Sequence, residues 1–160
     1  INASDVIRLT QRQLNSVNQI LDEMCAALGG RAAEDIAFGE ITTGALSYLE
    51  KVTKQARAMV TIYGLSDKIG NLTYYDSTGQ NEYGFTKPYS EQTAVLIDKE
   101  ISEIIETQYQ RAIKLLEDNK DKLIELAEVL LEKEVIFKDN LEKIFGSRPF
   151  VVEDREGPAK

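Results

Sequence analysis

Apolar residues recur at helical spacing over most of the chain. Val17, Ile20, Leu21, Met24, Cys25 and Leu28 follow a Ser16–Gln19 pair that fits a capping box. Gly29 and Gly30 leave two readings open. The helix ends there, or it continues through Ala32, Ala33 and Ile36 to Phe38 and stops at Gly39. Two glycines inside a helix cost roughly 1 kcal/mol each against alanine, and are tolerated where another backbone packs close. A short polar connection, 41–44, offers Thr43 as an N-cap. The next helix is expected from about Ala45 to Tyr63, with Leu49, Val52, Ala56, Met59, Val60 and Tyr63 on one face and Gly64 at its end.

Residues 65–89 break the periodicity. Asp67, Gly70, Asn71, Asp76, Ser77, Gly79, Asn81, Gly84 and Pro88 are turn formers. Tyr74, Tyr75, Tyr83, Phe85 and Tyr89 are interleaved among them. A loop this long within a compact domain is functional or flexible, and its aromatic residues suit docking on the body or on a neighbouring subunit. A long helix then runs from Ser90 to about Asn119, striped by Ile97, Ile101, Ile104, Ile105, Tyr109, Ala112, Ile113 and Leu116. Glu100, Glu103 and Glu106 read as its solvated face, where like charges at helical spacing repel mildly. A further helix, about Asp121 to Lys133, carries Leu123, Leu126, Ala127, Leu130 and Leu131. Asp139 with Glu142 reads as a capping box for a short helix through Phe145, ended by Gly146.

The pattern predicts an all-α helical bundle with one long aromatic-rich loop. Residues 16–150 form the helical domain and 151–160 a charged, frayed tail. Residues 1–15 form a separate N-terminal segment, in which Val6, Ile7 and Leu9 suit a short strand or a helix.

Composition narrows the function. A chain of 160 residues, 42% hydrophobic and 29% charged, is an ordinary globular domain that buries a core. Its 27 acidic and 19 basic residues give a net charge of −8, which repels phosphate backbones and argues against a nucleic-acid partner. The single cysteine, Cys25, cannot form an intrachain disulfide, so the chain reads as a protein of a reducing compartment. On its apolar stripe it reads as a buried small hydrophobe rather than a reactive thiol. No run of 18 apolar residues provides a membrane segment, and Ile1–Gln13 lacks the layout of a signal peptide. The missing initiator Met reads as a fragment or a processed chain. The absence of histidine excludes a Ser-His-Asp triad, a Cys-His pair and an H-E-x-x-H zinc helix within these residues.

Several blocks carry a resemblance. They are Leu21-Asp22-Glu23-Met24-Cys25, Leu28-Gly29-Gly30-Arg31-Ala32-Ala33-Glu34, Phe38-Gly39 and Thr42-Thr43-Gly44-Ala45. They continue with Ala56-Arg57-Ala58-Met59-Val60, Lys87-Pro88-Tyr89-Ser90, Leu130-Leu131-Glu132-Lys133-Glu134 and Phe145-Gly146-Ser147-Arg148-Pro149-Phe150. In this order and spacing, from Leu21 to Phe150, the chain resembles the peptidase domain of the FtsH family. These are membrane-anchored, ATP-dependent zinc metalloproteases of the AAA+ type. The resemblance implies a mostly helical domain assembled as a hexameric ring, facing the cytoplasm or the matrix or stroma. It also implies unfolded or membrane-extracted protein substrates for the full-length family.

The resemblance also implies what this chain lacks. A family member holds zinc with two histidines of an H-E-x-x-H helix, whose glutamate is the general base, and with an aspartate directly before a Leu-Glu pair. Within Ala45-Leu46-Ser47-Tyr48-Leu49-Glu50 the aspartate position is Tyr48. A phenol with a pKa near 10 is a poor zinc ligand at neutral pH. Tyr48 reads as an ordinary helix residue or as an inactivating change that fills the metal pocket. Glu50 lies about 200° around the helix from it and is expected to face elsewhere. Glu34 matches a family acidic position near the active site and is expected to support the site rather than ligate.

The expectation is a chain without zinc or ATP of its own, proteolytically inactive, which acts in packing or oligomer assembly. Two other readings stay open. One is a fragment of an active zinc metalloendopeptidase whose H-E-x-x-H helix lies elsewhere. The other is an engineered helical scaffold derived from that domain.

Overall fold

Ser16 opens the first helix. Its hydroxyl accepts from the Gln19 N–H at 3.2 Å, and Gln19 Oε1 accepts from the Ser16 N–H at 2.7 Å, so the capping box is formed. The computed structural model describes residues 15–75 and 88–147, without the side chain of Ala45. Helix α1 is Val17–Phe38 and runs unbroken through Gly29 and Gly30. It stops at Gly39, whose φ of +65° suits a residue without Cβ and whose N–H donates to the Asp35 carbonyl at 2.9 Å.

A single 3-10 turn, Thr43–Ala45, leads directly into α2, Leu46–Thr61. The cap of this turn is Thr42 rather than the expected Thr43. The Thr42 hydroxyl accepts from the Gly44 N–H at 3.3 Å. After α2 the chain turns at Gly64, φ +60°. Helix α3 is Glu91–Asp118, opened by Ser90, whose hydroxyl accepts from the Thr93 N–H at 3.2 Å. Glu91 in its first turn complements the positive end of the helix dipole. Helices α4, Lys120–Lys133, and α5, Lys138–Phe145, complete an all-α chain, with no strand among the described residues. The expectations for 1–14 and 148–160, and for Tyr83 and Phe85, lie outside the described residues.

The chain divides into two compact units, Ile1–Leu116 and Glu117–Lys160. In the first, α1, α2 and α3 share one core. Met24 and Leu28 of α1, Val52, Ala56, Met59 and Val60 of α2, and Ile97 and Ile101 of α3 form it, with Ile20. These positions recur at intervals of three and four, which puts them on one face of each helix. A smaller cluster joins Cys25 and Ala32 of α1 to Ala112 of α3, so Cys25 packs as the small hydrophobe expected. Two polar ties fix the same helices. Tyr109 donates from its hydroxyl to Asp35 Oδ2 at 3.0 Å, and Arg111 pairs with Asp22 at 2.6 Å.

Among its described residues the second unit buries no side chain fully. Leu131 is 84% exposed and Phe137 69%. The expected Asp139–Glu142 capping box is absent. Asn140 Oδ1 accepts from the Phe137 N–H at 3.2 Å instead, two residues earlier in the chain, and Glu142 pairs with Lys138 at 3.7 Å. Lys122 lies over the Phe145 ring, 5.8 Å from its centroid.

Candidate functional site

The residues singled out for metal chemistry lie where α1 gives way to α2. Two carboxylates, Glu34 and Asp35, sit near the C-terminus of α1, with no basic residue in its last turn. That end of a helix carries partial negative charge and disfavours carboxylates by about 0.3–1 kcal/mol each. Each has a specific partner. Asp35 takes the Tyr109 hydroxyl. Glu34 takes both polar groups of Thr42: the N–H at 3.2 Å on Oε2, and the hydroxyl at 3.1 and 3.2 Å on its two oxygens. Thr42 in turn receives the Gly44 N–H. The connection from α1 to α2 is thus held by a relay from Glu34 through Thr42 to Gly44.

Tyr48 is the third residue of α2. It lies four residues before Val52 and eight before Ala56, on the line of the buried stripe. It is nevertheless 54% exposed, since the fully buried part of the stripe begins only at Val52. Phe38 at 78%, Leu46 at 73% and Ile41 at 42% are exposed in the same stretch of chain. Glu50 faces elsewhere, as expected. Its carboxylate pairs with Lys54 at 2.6 Å, which holds its pKa below the usual carboxylate value.

A catalytic zinc is held by about three nitrogen, sulfur or carboxylate donors, with one position left open. Among the described residues no group of three or more His, Cys, Asp or Glu side chains is placed to hold a metal ion. The position expected to supply a carboxylate supplies a phenol, and the chain has no histidine. The described residues thus present no three-donor cluster that fits the metal.

The aromatic candidates divide. Tyr74 and Tyr89 pack against the core and meet edge to face, with centroids 5.0 Å apart, which joins the two roots of the aromatic-rich loop. Tyr75 is 59% exposed.

One cluster escaped the sequence reading. Glu100, expected on a solvated face, is 8% exposed. It accepts from the Ser66 hydroxyl at 3.0 Å and pairs with Lys68 at 2.8 Å, and Lys68 also pairs with Glu103. The partners are over 30 residues away in sequence, so helical periodicity on α3 alone carries no trace of them. A shallow depression is lined by Ile62, Tyr63, Gly64, Asn71, Leu72 and Thr73. It holds no titratable group besides the Tyr63 phenol. Among the described residues no helix is long and apolar enough to cross a membrane.

Known proteins are similar to this chain. Residues 7–144 match Peptidase family M41. The ATP-dependent zinc metalloprotease FtsH of Parabacteroides distasonis is 55% identical over 146 residues, covering 91% of this chain and 21% of that protein. The protein of the same name from Karelsulcia muelleri is 52% identical over 134 residues, covering 84% and 22%. The mitochondrial ATP-dependent zinc metalloprotease FTSH 10 of Arabidopsis thaliana is 47% identical over 137 residues, covering 86% and 16%. The chain thus spans about a fifth of the length of these relatives. It belongs to peptidase family M41, as a segment of the peptidase domain of FtsH-type proteases.

Proposed function

We propose that this chain is a non-catalytic helical portion of an FtsH-type peptidase domain, which binds no zinc at the family position and cleaves no peptide bond. Its role is packing and oligomer assembly, as part of a ring. The carrying observation is Tyr48. A half-exposed phenol stands where the resemblance puts an aspartate ligand, in a chain with no histidine. A neutral phenol neither offsets the zinc charge nor binds tightly at neutral pH.

The exposed Phe38, Leu46 and Tyr48 support the assembly role, because solvent-exposed large apolar side chains gathered in one stretch mark contact surfaces. The aromatic-rich segment, Tyr74, Tyr75, Tyr83, Phe85 and Tyr89, is the proposed docking arm toward a second subunit, with Tyr75 the exposed contact among the described residues. ATP use, unfolded or membrane protein substrates and a membrane anchor belong to the full-length family in this reading, with this domain on the cytoplasmic, matrix or stromal side.

Zinc content and casein cleavage by the purified protein test the proposal. It expects neither zinc nor cleavage, and a self-associated state by light scattering. A strictly monomeric protein at high concentration removes the assembly role. The competing reading is a piece of an active metalloendopeptidase. It is supported if Tyr48→Asp in a longer chain that supplies the two histidines yields cleavage, and weakened if it yields none.

A further inference from the structure

We propose that Glu34 is a positioning residue for position 48, acting through Thr42. Its meaning for the metal-ligand position rests on the functional reading above, whereas its geometry does not. Three observations carry it. The Glu34 carboxylate engages both polar groups of Thr42, with each of its oxygens in use. The Thr42 hydroxyl, while donating to Glu34, accepts from the Gly44 N–H and so caps the 3-10 turn whose last residue adjoins α2. Position 48 lies in the first turn of α2, directly downstream of that cap.

Glu34 occupies a place where a helix disfavours a carboxylate, and no basic side chain in the last turn compensates. A bare structural requirement at this point is already met by Gly39, which closes α1 with its own backbone N–H. What Glu34 adds is the direction of the chain after Gly39. A helix start left without its cap frays over its first turn, which is the turn that carries residue 48. The device is therefore intact in this chain although the side chain it aims is a phenol. By this account the corner differs from a carboxylate-presenting one at position 48 and not in its scaffold.

The test uses the whole 160-residue protein, labelled with nitrogen-15. Amide exchange at Thr42 and Gly44 and the backbone order parameter of Tyr48 are measured in wild type, Glu34→Ala, Glu34→Gln and Ser66→Ala. In Glu34→Ala the two amides are expected to exchange at least ~10-fold faster, and the Tyr48 order parameter to fall from about 0.85 toward 0.6. Glu34→Gln keeps one carbonyl oxygen as acceptor and is expected to lie between. Ser66→Ala removes a buried hydrogen bond elsewhere and is expected to lower the melting temperature without moving Tyr48. Unchanged exchange and order in Glu34→Ala overturn the proposal. So does equal loosening of Tyr48 in Ser66→Ala, which is the signature of general destabilisation. If Glu34→Ala does not fold, Thr42→Val removes the relay hydroxyl alone and is held to the same readouts. Zinc binding by wild type sinks the functional reading and leaves this result standing.

Discussion

Lys68 Nζ lies 2.8 Å from Oε2 of Glu100, a carboxylate on α3 that is 8% exposed. With Ser66 on the other oxygen and Glu103 beside it, this pair fastens the loop after α2 onto α3. The hydrogen bonds to Glu100 and then Glu103 raise the Lys68 pKa above its ordinary 10.5, and Lys68 in turn lowers that of Glu103 below 4.5. The Glu103 contribution is therefore present above pH 4.5 and is lost as pH falls through the lowered value. The Lys68 contribution is complete below 10.5 and is lost as pH rises through the raised value. Stability from urea unfolding is expected to be flat between about pH 6 and 9. Glu103→Gln is expected to be less stable there and to converge with wild type only once pH falls below the lowered Glu103 value. A constant gap at all pH values contradicts the clamp. Both groups are substantially exposed, so added salt narrows the gap.

The glycine pair in α1 gives a second prediction. A Cβ at Gly29 or Gly30 meets no heavy atom within 4 Å, so no backbone packs close enough among the described residues to require glycine. Gly30→Ala is expected to stabilise the protein by about 0.5–1 kcal/mol, read as a higher melting temperature. Gly64→Ala is expected to destabilise, because φ is +60° and the new Cβ lies 3.2 Å from the Leu72 carbonyl oxygen. A destabilising Gly30→Ala would show that this face is covered in solution, as the assembly role permits only in the self-associated state. Repeating the melt at low concentration separates the two cases.

Local signals made the first half of the fold legible. Ser16 with Gln19, Gly39 and Gly64 each act within one turn of chain, and the structure uses all three. The stripe Val52, Ala56, Met59 and Val60 likewise needs only the helical period. What escaped depends on distant partners or on one-residue choices. Glu100 is buried because Ser66 and Lys68 reach it from another segment. Thr42 rather than Thr43 caps the turn because Glu34, eight residues earlier, holds it in place. Asn140 displaces Glu142 as the cap partner by a shift of register that periodicity does not resolve. At the candidate site, the sequence singled out Tyr48 and Glu34 as expectations, but the relay between Glu34 and Gly44 required coordinates.

The shared core makes a prediction with a built-in contrast. Met24 is fully buried among Val52, Ala56 and Ile97. Met24→Ala removes that packing and leaves a cavity, at an expected cost of about 2–5 kcal/mol. Leu131, 84% exposed, is expected to change stability by no more than about 0.5 kcal/mol when cut to alanine. Equal losses by chemical denaturation would place the second unit's apolar residues in a covered core and contradict their exposure.

The central claim is that a chain with Tyr48 at the ligand position holds no zinc. Metal analysis of the purified, dialysed protein tests it most directly. The account predicts close to no zinc per chain, in wild type and in Tyr48→Phe alike. Stoichiometric zinc that survives dialysis would mean that carboxylates, Cys25 or a tyrosine build a site, and would contradict the claim.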